Sequence, residues 1–210
     1  MKRVLLASLL SVVVSSAFAE GQKQDPFTHG DATAGGAKAA ACFACHGPNG
    51  NGAINPEWPK LARQGSAYIH TQLTAFKSGT RKQPVMNGQA AGLSDDDMNN
   101  LAAFFASQPG IPGVASKDAV KVAETLYRAG DAKRGLPACS GCHNPNGLGN
   151  AAAGFPRLSG QNVAYTTNQL KAFKAGTRGA EANGQMMTAV AGKLSDDEIN
   201  ALASYVAGLQ

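Results

Sequence analysis

Beyond its first twenty residues the chain has no apolar run long enough to span a bilayer, and nowhere does it carry a dense run of lysine or arginine. The first absence excludes a membrane protein built from several spanning helices. The second argues against nucleic acid as a partner, although the formal charge of +5 and a pI of about 9.1 invite that reading. Ligating side chains are scarce as well: among 210 residues there are four cysteines, four histidines and five methionines, counting Met1. The one apolar run lies at the start. Lys2 and Arg3 precede residues 4–14, and Ala17-Phe18-Ala19 forms a small-x-small cleavage pattern. Residues 1–19 therefore read as a signal peptide that is removed, leaving an exported protein that begins near Glu20.

What is present is concentrated in two short stretches, Cys42-Phe43-Ala44-Cys45-His46 and Cys139-Ser140-Gly141-Cys142-His143. They use all four cysteines. Two cysteines three residues apart, followed at once by histidine, form the attachment signal for a c-type haem. On one helical turn the thiols can add to the two vinyl groups of a porphyrin, and the histidine can offer its imidazole to the iron. Zinc or disulfides would use the cysteine pairs but give no reason for a histidine after each. The expectation is two covalently bound haem c groups, held by Cys42, Cys45, Cys139 and Cys142, with His46 and His143 on the irons. Export fits, because c-type attachment in bacteria takes place outside the cytoplasm. Removing Lys2 and Arg3 lowers the formal charge to +3, and four propionates bring it to about −1 with both irons ferrous and +1 with both ferric. Such a protein is nearly neutral, which again leaves nucleic acid without a claim.

Superposing the two motifs exposes a repeat. At an offset of 97, Trp58-Pro59-Lys60-Leu61 lies on Phe155-Pro156-Arg157-Leu158, and Tyr68, Gln72, Leu73, Phe76 and Arg81 lie on Tyr165, Gln169, Leu170, Phe173 and Arg178. Four extra residues in the second copy then shift the offset to 101, at which Leu93-Ser94-Asp95-Asp96 meets Leu194-Ser195-Asp196-Asp197. One all-α haem domain has been duplicated, giving residues 20–108 and 119–210 with a linker at 109–118. Apolar spacing predicts helices over 66–78 and 162–175 that stop at Gly79 and Gly176. Capping-box serines, Ser94 with Asp97 and Ser195 with Glu198, open the last helix of each copy. Ahead of the haem motifs, 33–44 reads as one helix running into Cys42. In the second copy, 117–128 reads as the same helix, interrupted before Cys139 by Gly130 and Pro137. The prolines at 109 and 112 predict a stiff connection.

At both motifs the chain resembles the class I c-type cytochromes, which take their sixth iron ligand from a methionine well downstream. The repeat selects Met86 and Met187, each seven residues before the matched leucine, Leu93 or Leu194. Met186 stands beside Met187 as the alternative ligand. Met98 aligns with Ile199 and reads as core. His29 and His70 have no counterparts in the second copy and read as surface residues. Two strong axial ligands leave no open position on either iron, so no catalysis at the haem is expected. The analogy further implies that the carbonyls of Pro59 and Pro156 accept a hydrogen bond from each proximal imidazole.

The export signal, the two domains, a Gly-Asp-Ala segment ahead of each motif, and the Tyr-x-x-x-Gln-Leu-x-x-Phe-Lys-x-Gly-x-Arg block in each half together resemble the cytochrome c4 family across residues 30–210. The resemblance implies a periplasmic dihaem electron carrier, often loosely associated with the inner membrane, with redox protein partners such as a quinol-oxidising complex and a terminal oxidase. It also makes Arg81 and Arg178 candidates to meet haem propionates. The rival readings are a dihaem peroxidase or sulfur-compound dehydrogenase, and a cytochrome subunit docked to an oxidoreductase. One further expectation concerns charge. Residues 20–118 are net neutral and residues 119–210 carry +3, which predicts the higher reduction potential for the second haem.

Overall fold

Gly30-Asp31-Ala32 and Gly130-Asp131-Ala132 look alike in sequence but stand at opposite ends of the long helix beside them. In the computed structural model, which describes residues 27–210 except 53 and 182, Asp31 is an N-cap. Its carboxylate accepts the amides of Thr33 at 2.7 Å and Ala34 at 3.3 Å and opens helix α1, Ala32–His46. In the second copy the same tripeptide follows the helix. Gly130 ends α5, Lys117–Ala129, at φ +69, where an added Cβ would lie 2.3 Å from the Leu136 carbonyl oxygen. Asp131 then caps a short 3-10 turn at 132–134. The Cys-Ser-Gly-Cys-His motif is thus left on the five-residue helix α6, Cys139–His143, whereas its counterpart ends a helix of 15 residues. The predicted signal peptide, residues 1–19, and Glu20 lie outside the described residues.

The remaining elements follow the predicted order. In the first domain these are α2 (Ser66–Ser78), α3 (Pro84–Ala91) and α4 (Asp95–Ser107). In the second they are α7 (Val163–Lys174), α8 (Gly184–Ala191) and α9 (Asp196–Ala207). Among the described residues there are no strands, only two isolated bridges, Asp131 with Leu136 and Asn150 with Phe155. Helix α2 stops at Gly79, which takes the left-handed conformation at φ 75. Both capping boxes form, with Ser94 paired to Asp97 and Ser195 to Glu198. No helix among the described residues is long and apolar enough to cross a membrane.

Each domain packs its first helix on its last. In the first, Ala39, Ile69, Leu101, Ala102 and Phe105 form the core, and Phe43 meets Phe104 and Phe105 with ring centroids 6.1 and 6.4 Å apart. In the second, Tyr127 is fully buried against Tyr205, centroids 5.4 Å apart, and its hydroxyl donates to the Asn144 carbonyl at 2.7 Å. The linker is tied to the first domain. Asn51 donates to the Pro109 carbonyl and accepts the Ile111 amide at 3.0 Å, while Lys60 Nζ donates to the Ile111 carbonyl at 3.3 Å.

Candidate haem sites

The last turn of α1 brings Cys42 and Cys45 to one face, three residues apart, with His46 next along the helix. Helix α6 repeats the arrangement with Cys139, Cys142 and His143. All four thiols are free. Burial, with help from the neighbouring Cys45, pushes the Cys42 thiol above its usual range, and burial takes Cys139 to about 11. Among the described residues no three His, Cys, Asp or Glu side chains gather as a metal cluster.

Both motif histidines are buried, His46 at 7% and His143 at 6% exposure. His46 Nδ1 lies 2.8 Å from the Pro59 carbonyl oxygen and His143 Nδ1 lies 2.9 Å from that of Pro156. A carbonyl can only accept, so each bond puts the proton on Nδ1 and leaves the Nε2 lone pair available. Burial lowers both imidazole pKa values, although the carbonyl bond pulls the other way. Each is therefore a neutral, oriented imidazole, the form an iron takes. These residues fit the haem that their motifs call for.

Met86 lies on α3 and Met187 on α8, both half-buried. The sequence had suggested no helix at either place. Helix α3 is closed at its start by Gln83, whose side chain accepts the Met86 amide at 2.7 Å. Met186 is 48% exposed, while Met98 is buried at 4% with its sulfur 3.9 Å from the Thr74 hydroxyl. His29 is exposed, and His70 pairs with Asp95 at 2.8 Å.

Arg81 and Arg178 do something the sequence did not reveal: they cross between the domains. Arg81 donates to Gln72 at 2.6 Å within its own domain, and to Tyr165 at 3.2 Å and Gln169 at 2.9 Å in the other. Arg178 mirrors it, donating to Gln169 at 2.7 Å, Tyr68 at 2.8 Å and Gln72 at 3.1 Å. Each guanidinium also lies over a phenylalanine of the helix that precedes it, Arg81 over Phe76 of α2 and Arg178 over Phe173 of α7. The copies differ in one respect. Arg178 has a buried ion pair with Glu181 at 2.9 Å, and Glu181 lies in the stretch lengthened in the second copy. Burial alone would lower the Arg178 pKa, but Tyr68, Tyr165 and Glu181 together hold it above the usual value. A cleft of about 460 Å³, lined by both arginines, Lys82 and Gln169, opens beside this network. Nothing in the sequence pointed to interdomain bonding except that Tyr68, Gln72 and Arg81 each recur 97 residues later.

Two helical domains, each presenting a Cys-x-x-Cys-His turn with a carbonyl-oriented histidine, define a tandem c-type cytochrome. The family model described as cytochrome c matches the chain twice, over residues 33–109 and 123–210. Cytochrome c4 of Azotobacter vinelandii is 46% identical over 189 residues, covering 86% of this chain and 90% of that protein. The crystal structure of reduced recombinant cytochrome c4 from Pseudomonas stutzeri superposes with a TM-score of 0.82 at 46% identity, covering 86% of this chain and all of that one. A protein described as a thiosulfate dehydrogenase electron acceptor, from Stutzerimonas stutzeri, is 35% identical across 97% of this chain and 94% of its own length. The chain belongs to the cytochrome c4 family. It is a dihaem c-type cytochrome of electron transfer, with two covalently bound haem c groups.

Proposed function

We propose that the chain is an exported, periplasmic electron carrier that takes electrons from a quinol-oxidising complex and delivers them toward a terminal oxidase, associating with the inner membrane at most peripherally. Cys42, Cys45, Cys139 and Cys142 would hold the porphyrins, and His46 with Met86 and His143 with Met187 would ligate the two irons. When bound, each haem supplies a one-electron ferric/ferrous couple. The protein orients each imidazole through the Pro59 or Pro156 carbonyl and shields it from water. Arg81 and Arg178, already bonded across the domain boundary, would meet haem propionates only through N–H groups those bonds leave free on the cleft they line.

The observation that carries this reading is that each half holds a buried imidazole whose Nδ1–H is given to a proline carbonyl, leaving Nε2 unprotonated, and has a methionine at the matched position of the repeat. Iron ligated on both sides in this way would have no position for peroxide or a sulfur substrate, which supports a carrier and not an enzyme. The test is to mix the purified ferrous holoprotein with oxidase-containing membranes and, separately, with peroxide. Reoxidation of both haems by the membranes, with no catalytic consumption of peroxide, is expected. Sustained peroxide turnover would overturn the reading. The thiosulfate dehydrogenase electron acceptor relative supports one second reading, in which the donor is a thiosulfate-oxidising enzyme. Comparing the rate of haem reduction by each donor decides between them.

A further inference from the structure

The peptide group joining Pro59 to Lys60 is bonded at both ends, and its two partners belong to different domains. Its carbonyl oxygen accepts His46 Nδ1–H at 2.8 Å, while its N–H, that of Lys60, donates to Gln161 Oε1 at 2.8 Å. Gln161 completes the contact by donating from Nε2 to the Lys60 carbonyl at 2.9 Å. The second domain returns the arrangement. The Pro156 carbonyl accepts His143 Nδ1–H at 2.9 Å, the Arg157 N–H donates to Gln64 Oε1 at 2.8 Å, and Gln64 Nε2 donates to the Arg157 carbonyl at 3.0 Å. Gln64 and Gln161 are themselves 97 residues apart, and each carboxamide oxygen also accepts the amide that follows it, Gly65 or Asn162, which fixes its orientation.

We infer that Gln64 and Gln161 are positioning residues that act in trans: Gln161 sets the strength of the His46–Pro59 bond, and so the potential of the first haem, while Gln64 does the same for His143 and the second. The inference rests on the proposal that His46 and His143 are the proximal ligands. An amide whose N–H is donated carries more negative charge on its oxygen, so consecutive bonds through one peptide strengthen each other. A stronger pull on Nδ1–H makes the imidazole a better donor to iron, which favours the ferric state. Losing the glutamine acceptor weakens that pull and strands a part-buried Lys60 or Arg157 N–H. The first domain's proximal loop is the more heavily braced of the two. It also receives Asn162 Nδ2 on the Trp58 carbonyl at 2.7 Å and the Tyr165 amide on the Pro56 carbonyl at 3.2 Å, whereas Gly65, at the position of Asn162, has no side chain to give.

The test uses the full dihaem holoprotein with Gln161→Met, Gln64→Met, Gln161→Glu and, as a control, Asn168→Ala, which removes an interdomain bond to Glu57 that touches neither peptide. Two quantities are read per haem: its potential, and the Nδ1–H proton resonance of its histidine in the reduced, diamagnetic state. Gln161→Met should raise the potential of the first haem, changing its ferrous-to-ferric ratio at fixed ambient potential by at most about tenfold, the scale of one hydrogen bond. It should also move the His46 resonance while leaving the second haem and His143 close to wild type. Gln64→Met should do the reverse. Gln161→Glu keeps an acceptor for the Lys60 N–H and should leave the first haem at or below its original potential. Asn168→Ala should produce no crossed shift. If each variant shifts the haem of its own domain, both equally or neither, the inference falls. If wild type shows no ligand-histidine signal from His46 or His143, the axial assignment itself has failed, a result separable from the glutamine effect.

Discussion

At the scale of single residues, two methionines carry the proposed ligation. A thioether favours ferrous iron, so replacing it with imidazole lowers the potential. Met86→His should lower the first haem's potential and leave the second near its original value, and Met187→His should do the opposite, both read by spectroelectrochemical titration. Replacing Met186, which is 48% exposed, should change neither. Loss of one ferric thioether band on Met186 substitution would transfer the assignment to that neighbour. A second residue-scale expectation concerns Glu181. Burial pushes its carboxyl up, but Arg178 and nearby amides outweigh burial and hold it below the usual carboxylate range. A depressed folded pKa gives stability that is fully present above the unfolded value of about 4.3 and is lost as pH falls through the lower folded value. The second domain should therefore lose melting temperature below about pH 4, and Glu181→Gln should flatten that dependence. Glu181→Ala leaves Arg178 buried without its counter-ion and should cost about 3–5 kcal/mol in chemical denaturation.

At the scale of elements, the terminal helices rest on local chemistry. Each starts with a reciprocal serine–acid cap followed by acidic residues in the first turn, which suits the positive end of the helix dipole. Ser195→Ala should cost about 1 kcal/mol, read as a lower denaturation midpoint of the second domain with its slope unchanged. Such signals made much of the fold legible: α1, α2, α4, α5, α7 and α9 all follow from apolar spacing, serine caps and glycine stops. Helices α3 and α8 were not legible. They have eight residues each, contain glycine, and in α3 the cap is a glutamine, which is not a usual N-cap residue. Their stability comes from tertiary packing, not propensity. The sites divide the same way. Cys42, Cys45, His46 and their counterparts announce themselves by spacing. The proline carbonyls came only through a family resemblance, because backbone acceptors leave no sequence mark. The bonds of Arg81, Arg178, Gln64 and Gln161 across the interface need two domains brought face to face, which no local pattern encodes.

At the scale of the whole molecule, the charge difference between halves bears on the direction of electron flow. Positive surroundings destabilise ferric more than ferrous haem. Three charges roughly 15 Å away in a water-like dielectric contribute about 0.8 kcal/mol before screening by salt. With about 59 mV corresponding to 1.4 kcal/mol for one electron, the second haem should lie a few tens of millivolts higher. The gap should shrink as salt is added. A higher potential for the first haem at low salt, or a gap indifferent to salt, would refute the charge argument. If the order holds, electrons entering at the first domain run downhill to the second, which becomes the exit face.

The claim beneath all of these is that each half carries one covalent haem closed on both sides by histidine and methionine. The absorption spectrum of the fully ferric protein, with haem content quantified per chain, tests it most directly. The account predicts a far-red thioether-to-iron band with the intensity of two haems and no high-spin component. A band scaled to one haem, or a high-spin fraction from an open iron, would contradict it.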